Sequence, residues 1–94
     1  MDLNEIRAGI DSVDQKIIAL LAERAALVGQ AAKLKKNEDG VRDPKRVEEV
    51  INRVKMHARR AGLPEEIAEK TYTTLIGCFV EKEMEAFKKS GNRE

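Results

Sequence analysis

The first third of the chain carries an apolar seam with the period of a long helix. Its members recur about every 3.5 residues, and they are Leu3, Ile6, Ile10, Val13, Ile17, Leu20, Leu27, Ala31 and Leu34. The pattern predicts one helix from Leu3 to Lys36, and roughly 34 residues that each rise about 1.5 Å extend about 50 Å. A compact chain of 94 residues has a radius of gyration of only about 12 Å. This helix therefore overhangs any monomer.

The overhanging half of the helix requires a second surface that buries its apolar side chains. Its seam is apolar along the whole length, so a single chain would leave Leu and Ile side chains in water. We therefore expect an intertwined homodimer in which the first helix of each protomer packs along the other. The alternative is a monomer whose helix breaks near Gly29. A glycine costs only about 1 kcal/mol relative to alanine in a helix, so it does not force that break.

The rest of the chain predicts two further helices, and the expected fold is all-α with three helices per chain. Asp43 as N-cap and Pro44 at the first helical position begin the second helix, which Gly62 ends. The third helix begins at Pro64, and residues 37–43 are expected to form a loop. No segment alternates apolar and polar residues as a half-buried strand does.

Composition narrows the class of protein further. The 18 basic and 17 acidic side chains nearly cancel, which argues against a nucleic-acid or membrane partner. We find no secretory, membrane-spanning or lipidation signal, and we expect a soluble cytoplasmic protein with one helical domain at residues 1–90 and a polar tail at residues 91–94. Cys78 is expected to be a small core residue and His57 a surface residue. We expect no metal site.

One charged residue interrupts the seam. Arg24 occupies a position where the pattern requires an apolar side chain, and a desolvated cation is costly unless an anion meets it. On a continuous helix, Lys35 lies about 20° around the axis from Arg24, so both can face one cavity. Arg7 lies roughly 25 Å along the axis from Arg24, and it could reach the partner's cavity in an antiparallel dimer. Arg46, in the first turn of the second helix, adds another cation.

One inward-facing carboxylate accompanies these cations. Glu83 lies on the apolar stripe of the third helix, one turn after Phe79 and one turn before Phe87. Taken alone, Arg7 or Arg46 is better explained by a surface or interface salt bridge. Together with this carboxylate, the cations indicate a pocket for a compact dianion, such as a dicarboxylate.

As a set, these residues resemble the all-helical chorismate mutase family. The resemblance runs from about Leu3 to Phe87, and the segments that carry it are Ile6-Arg7, Ile10-Asp11-Ser12-Val13-Asp14, Leu20-Leu21-Ala22-Glu23-Arg24, Lys33-Leu34-Lys35, and Val41-Arg42-Asp43-Pro44 leading to Arg46. It implies an intertwined dimer that rearranges chorismate to prephenate without a cofactor. It also implies that each active site takes one arginine from the partner chain.

The resemblance implies a role for each charged residue. Arg7 matches the arginine lent across the dimer, while Arg24 and Arg46 match arginines that hold the substrate. Lys35 matches a lysine that contacts a carboxylate and the ether oxygen. Glu83 matches the position whose side chain donates a hydrogen bond to the same oxygen.

Three further positions complete the expected substrate site. Asp43 matches a position beside the ring hydroxyl, and Phe79 is expected to line the pocket next to Glu83. Val47 departs from the family pattern, since well-known mutases have a glutamate there. The similar isochorismate pyruvate lyases also lack that acid, so a lyase is one alternative. A non-catalytic helical dimer used for interaction or regulation is another.

The reaction implied by the resemblance suits these side chains, because a pericyclic rearrangement needs no nucleophile, general base or metal. Holding the dianion in a folded conformer removes part of the entropic barrier. Lys35 and Glu83 would stabilise the negative charge that develops on the ether oxygen. Glu83 can donate a hydrogen bond only when it is protonated, so this role predicts an activity that falls as pH rises.

Overall fold

Helices make up nearly all of the backbone in the computed structural model, which describes residues 1–91. In chain order they are α1 (Leu3–Ala32), α2 (Glu38–Arg42), α3 (Pro44–Ala61) and α4 (Glu65–Gly91). The described residues form no strand, and the prediction of an all-α chain with a long first helix is confirmed. Apart from Gly91, the polar tail expected at residues 91–94 lies outside the described residues. The chain divides into two structural units, Met1–Lys33 and the chain from Leu34 onward.

The first unit is α1, which begins at a well-formed cap. The side chain of Asp2 accepts a hydrogen bond from the backbone N–H of Glu5 at 2.8 Å, so one of the otherwise unpaired N–H groups of the first turn is satisfied. The 30 residues of α1 extend about 45 Å. The helix runs unbroken through Gly29 and ends three residues later, at Ala32.

α1 leaves its seam uncovered. None of its residues is buried, and Ile10 and Ile17 are 53% and 48% exposed. Monomeric proteins rarely expose so long an apolar stripe without a partner to cover it. The single chain therefore presents an apolar surface along its longest helix.

The predicted end of the first helix was wrong by four residues. α1 ends at Ala32, and the expected extension to Lys36 is absent because Asn37 begins another helix. An N-cap residue needs a non-helical backbone, and Asn37 is extended with φ −152° and ψ 173°. The segment before Asn37 must therefore leave the helical conformation.

In the second unit, the expected loop is mostly a single helical turn. α2 has five residues, and its Val41 is 2% exposed. α2 packs against α4, and Val41 is the side chain that α2 buries. Such a short helix is marginal in isolation, and its stability depends on that packing and on its caps.

The predicted caps of the next helix are confirmed. Asp43 caps α3, Pro44 stands at its first position, and Gly62 ends it with φ 78°, a left-handed conformation that glycine adopts at little cost. α4 begins at Glu65, one residue after the predicted start. α3 and α4 pack along each other and bury Ala58 and Ala68, so they form a helical hairpin.

The surface prediction for His57 is confirmed, because the side chain is exposed. The core prediction for Cys78 was wrong, because this residue is also exposed. The buried and half-buried positions of α4 form a helical stripe that continues through Phe79 and Val80 to Met84. Cys78 lies on the opposite side of the helix. The prediction was wrong because it relied on the small, apolar side chain of this residue and not on its helical position.

The buried Val41 leads to a prediction about stability. Replacing Val41 with alanine removes two buried methyl groups and leaves a cavity under α2, so we expect a loss of about 2 kcal/mol in the free energy of unfolding. Urea denaturation followed by circular dichroism measures it. The matched control is Val47→Ala on α3, where the side chain is half-buried, and we expect a smaller loss. Equal losses would contradict a specific anchoring role for Val41.

Candidate active site

The stripe of α4 positions a buried carboxylate. Glu83 follows Phe79 by one helical turn, and its side chain is 9% exposed. The Nζ atom of Lys35 lies 3.2 Å from Oε2 of Glu83 and donates a hydrogen bond to it. The structure thus brings together two predicted site residues that are 48 positions apart in the chain.

Both side chains of this ion pair are largely shielded from water. The Lys35 side chain is 24% exposed, so the two charges interact more strongly than an exposed pair would. An ammonium has three N–H donors. Lys35 can therefore hold Glu83 and also donate to an oxygen of a bound anion.

Lys35 reaches this position from irregular backbone. The segment from Lys33 to Asn37 lies between α1 and α2, so the helical phase that related Lys35 to Arg24 does not apply. The predicted helical phase between the two residues was wrong because α1 ends at Ala32. Lys35 nevertheless contacts Glu83, and both residues belong to the unit that begins at Leu34.

The junction between α2 and α3 holds three other predicted residues. Asp43 has φ 38°, which is uncommon for a residue with a side chain, and its Oδ1 accepts a hydrogen bond from the backbone N–H of Arg46 at 3.3 Å. The Arg46 guanidinium lies 3.5 Å from Glu49 Oε2, and both side chains are about half exposed. Such an exposed pair contributes little to stability, so Arg46 can exchange it for a ligand. Val47 is half-buried.

Arg7 and Arg24 both lie on α1. Arg7 is exposed and Arg24 is half-buried, and they belong to the first unit, whereas Lys35 and Glu83 belong to the second. Phe79, on α4, is half-buried beside the Glu83 position. The contacts described above thus join Lys35 to Glu83 and Asp43 to Arg46.

Residues 1–91 offer neither a metal-binding cluster nor a membrane-spanning helix. In that range, no group of three or more His, Cys, Asp or Glu side chains could hold a metal ion. None of the helices described there is long and apolar enough to cross a membrane.

Sequence reasoning missed one element beside the ion pair, the turn of α2. Asn37 is its N-cap, and Glu38 and Asp39 are acidic residues in its first turn. This arrangement is typical of a helix start, because anions are stabilised by the N-terminal end of a helix. The same residues were interpreted as a loop after the first helix, so their capping signal was not used to predict a helix.

Comparison with known proteins gives two findings. A family model described as chorismate mutase type II matches residues 6–84. A chorismate mutase from Methanocaldococcus jannaschii is 36% identical over 76 residues, which cover 79% of this chain and 76% of that protein. The range matched by the family model contains every site residue predicted from the sequence.

Proposed function

We propose that this chain, which belongs to the type II chorismate mutase family, rearranges chorismate to prephenate in a site shared between two copies of the chain. Enzymes with this activity are isomerases. The observation that carries the proposal is the family match over residues 6–84. The Lys35–Glu83 pair, which lies within that range, supplies the chemistry at the reacting oxygen.

The proposed mechanism is electrostatic and conformational. In this rearrangement the ether carbon–oxygen bond breaks while a carbon–carbon bond forms, and no proton has to move. Arg24 and Arg46 hold the two carboxylates, so that the substrate stays in the folded conformer that reacts. Lys35 donates to the ether oxygen as negative charge accumulates there, and a preorganised donor in a shielded site stabilises that charge effectively.

The exposed seam of α1 supports the homodimer. A second α1 packed along this seam would cover Ile10 and Ile17, which the single chain leaves about half exposed. We propose that the partner then lends Arg7 to the site, since Arg7 and Arg24 are roughly 25 Å apart along one helix. Asp43, Val47 and Phe79 complete the substrate contacts in this proposal.

The mutase is favoured over the alternatives. Both comparisons name mutases, and the departure at Val47 is the one argument for a lyase. No described feature favours a non-catalytic dimer. We further propose that the enzyme works without a cofactor in the cytoplasm, in aromatic amino acid biosynthesis.

Parallel assays test the proposed function directly. The purified chain is incubated with chorismate and, separately, with isochorismate. We expect loss of chorismate with formation of prephenate, and no release of pyruvate from isochorismate. Pyruvate release without prephenate would establish the lyase. No turnover of either compound would favour the non-catalytic helical dimer.

The role of Glu83 predicts the effect of its replacement. An ether oxygen can only accept a hydrogen bond, and the amide of a glutamine supplies N–H donors. We therefore expect Glu83→Gln to keep at least the wild-type kcat/KM, whereas Glu83→Ala, which removes the group that holds Lys35, should lower it about tenfold or more. Steady-state kinetics with chorismate measure both variants.

A matched substitution controls for the loss of a carboxylate on α4. Glu85 is exposed and contacts Lys82 at 3.8 Å, so kcat/KM of Glu85→Ala should stay within about twofold of the wild-type value. If Glu83→Ala were as active as the wild type, Glu83 would not act in the site.

A further inference from the structure

The backbone holds the two residues of the ion pair to different extents. Glu83 stands in the interior of α4, and its side chain is almost completely buried. Lys35 lies on irregular backbone between α1 and α2, so no helical hydrogen bonding fixes its direction. Contacts of the lysine with neighbouring groups must therefore hold its ammonium at Glu83.

The first turn of α2 lies next to the lysine. A Cβ atom built on Gly40 would lie 3.7 Å from Cβ and 4.0 Å from Cγ of Lys35, and these are ordinary van der Waals distances. The gap between the Gly40 backbone and the aliphatic stem of Lys35 is therefore about the size of one methyl group. The turn limits how far the stem can move toward α2.

The side chain of Asn37 holds that turn in place. Its Oδ1 accepts a hydrogen bond from the backbone N–H of Gly40 at 2.8 Å. The same turn is closed by a backbone hydrogen bond from Val41 N–H to the carbonyl of Asn37 at 3.2 Å. Val41 is buried, and α2 packs on α4, the helix that carries Glu83. Asn37 is thus hydrogen-bonded to Gly40 and Val41, in a turn that lies beside Lys35 and packs on the helix of Glu83.

We propose that Asn37 is a positioning residue for the mutase reaction. By capping α2, it keeps the backbone at Gly40 beside the stem of Lys35, and so limits the directions open to the ammonium and favours its position at Glu83 and the substrate. The catalytic consequence rests on the proposed function, whereas the effect on the position of Lys35 does not.

Substitutions at Asn37 test the catalytic consequence. Asn37→Ala removes the cap, and we expect kcat to fall about tenfold, because small displacements of a catalytic group are costly. KM should change less than kcat does, since Arg24 and Arg46 remain to bind the carboxylates. Asn37→Ser restores a capping oxygen without adding charge, and it should recover most of the wild-type kcat. A serine variant as slow as the alanine variant would overturn the capping role.

A double-mutant cycle separates positioning from general destabilisation. If Asn37 acts through Lys35, Asn37→Ala should change kcat less than about twofold when Lys35 is already alanine. Ala68→Gly, which disturbs a buried position of α4, is the control for destabilisation, and its effect should be the same in both backgrounds. A full tenfold loss from Asn37→Ala in the Lys35→Ala background would refute the proposal.

A measurement without substrate keeps the inference separate from the proposed function. Nuclear magnetic resonance of the free protein reports the Lys35 side-chain signals and the exchange rate of the Gly40 amide. In Asn37→Ala we expect faster exchange at Gly40 together with a shift of the Lys35 signals, and in Asn37→Ser a return toward the wild type. Unchanged Lys35 signals in Asn37→Ala would overturn the positioning role. Absence of chorismate turnover by the wild type would overturn the function alone.

Discussion

Replacing Lys35 with alanine is expected to lower kcat/KM for chorismate by about a hundredfold or more, which corresponds to about 3 kcal/mol of lost transition-state stabilisation. The ammonium is shielded and lies 3.2 Å from Glu83, so water cannot fully replace it as a donor. Most of the loss should appear in kcat, because the charge on the ether oxygen develops only as the bond breaks. Steady-state kinetics with chorismate measure both constants.

The neighbouring lysine provides the control. Lys36 is exposed and lies in the same irregular segment, so Lys36→Ala removes the same charge from nearly the same place in the chain. We expect its kcat/KM to stay within about twofold of the wild-type value, as for most exposed substitutions. If Lys36→Ala were as slow as Lys35→Ala, the effect would come from the charge of the segment rather than from the ion pair.

Much of the fold could be predicted because local signals agree with one another. α3 begins and ends where its boundary residues predict. Each of these residues fits one position of a helix boundary and no other nearby, and they are Asp43, Pro44 and Gly62. The body of α1 follows from its apolar period in the same way. Its end was harder to predict, since Asn37 is compatible with the end of one helix and with the start of another.

The site was predictable from the sequence to a smaller extent. The inward direction of Glu83 follows from its spacing on α4, because helical phase is a local property. Lys35 was assigned to the site from its helical phase relative to Arg24 and from the resemblance to the family, but α1 does not extend so far. The proximity of Gly40 to Lys35 depends on how the irregular segment folds back, and no period in the sequence encodes that.

The two arginines of α1 show a second limit of prediction from the sequence. Helical phase gives the side of α1 from which Arg7 and Arg24 project, but not which chain supplies the surface they face. The exposed seam of α1 supports a second copy of the chain. A test of the shared site must therefore distinguish residues contributed by one chain from residues contributed by its partner.

Mixing Arg7→Ala chains with Arg24→Ala chains is expected to restore activity that each variant lacks alone. Either substitution in a homodimer removes a cation from both sites, and we expect losses of about a hundredfold. In a mixed dimer, the chain that keeps Arg24 receives Arg7 from its partner, so one site is complete. Random pairing makes about half of the dimers mixed, and about a quarter of the sites intact. Joint unfolding and refolding of equal amounts, followed by the chorismate assay, measures the recovery.

A second mixture shows whether the recovery comes from exchange of residues between chains. Arg24 and Arg46 are both proposed to act in the site of their own chain, so mixed dimers of Arg24→Ala and Arg46→Ala lack one cation in each site and should remain inactive. Recovery in the first mixture without recovery in the second requires that Arg7 crosses the interface. If neither mixture recovers although mixed dimers form, Arg7 acts within its own chain. The exposed seam of α1 would then need an explanation other than a shared active site.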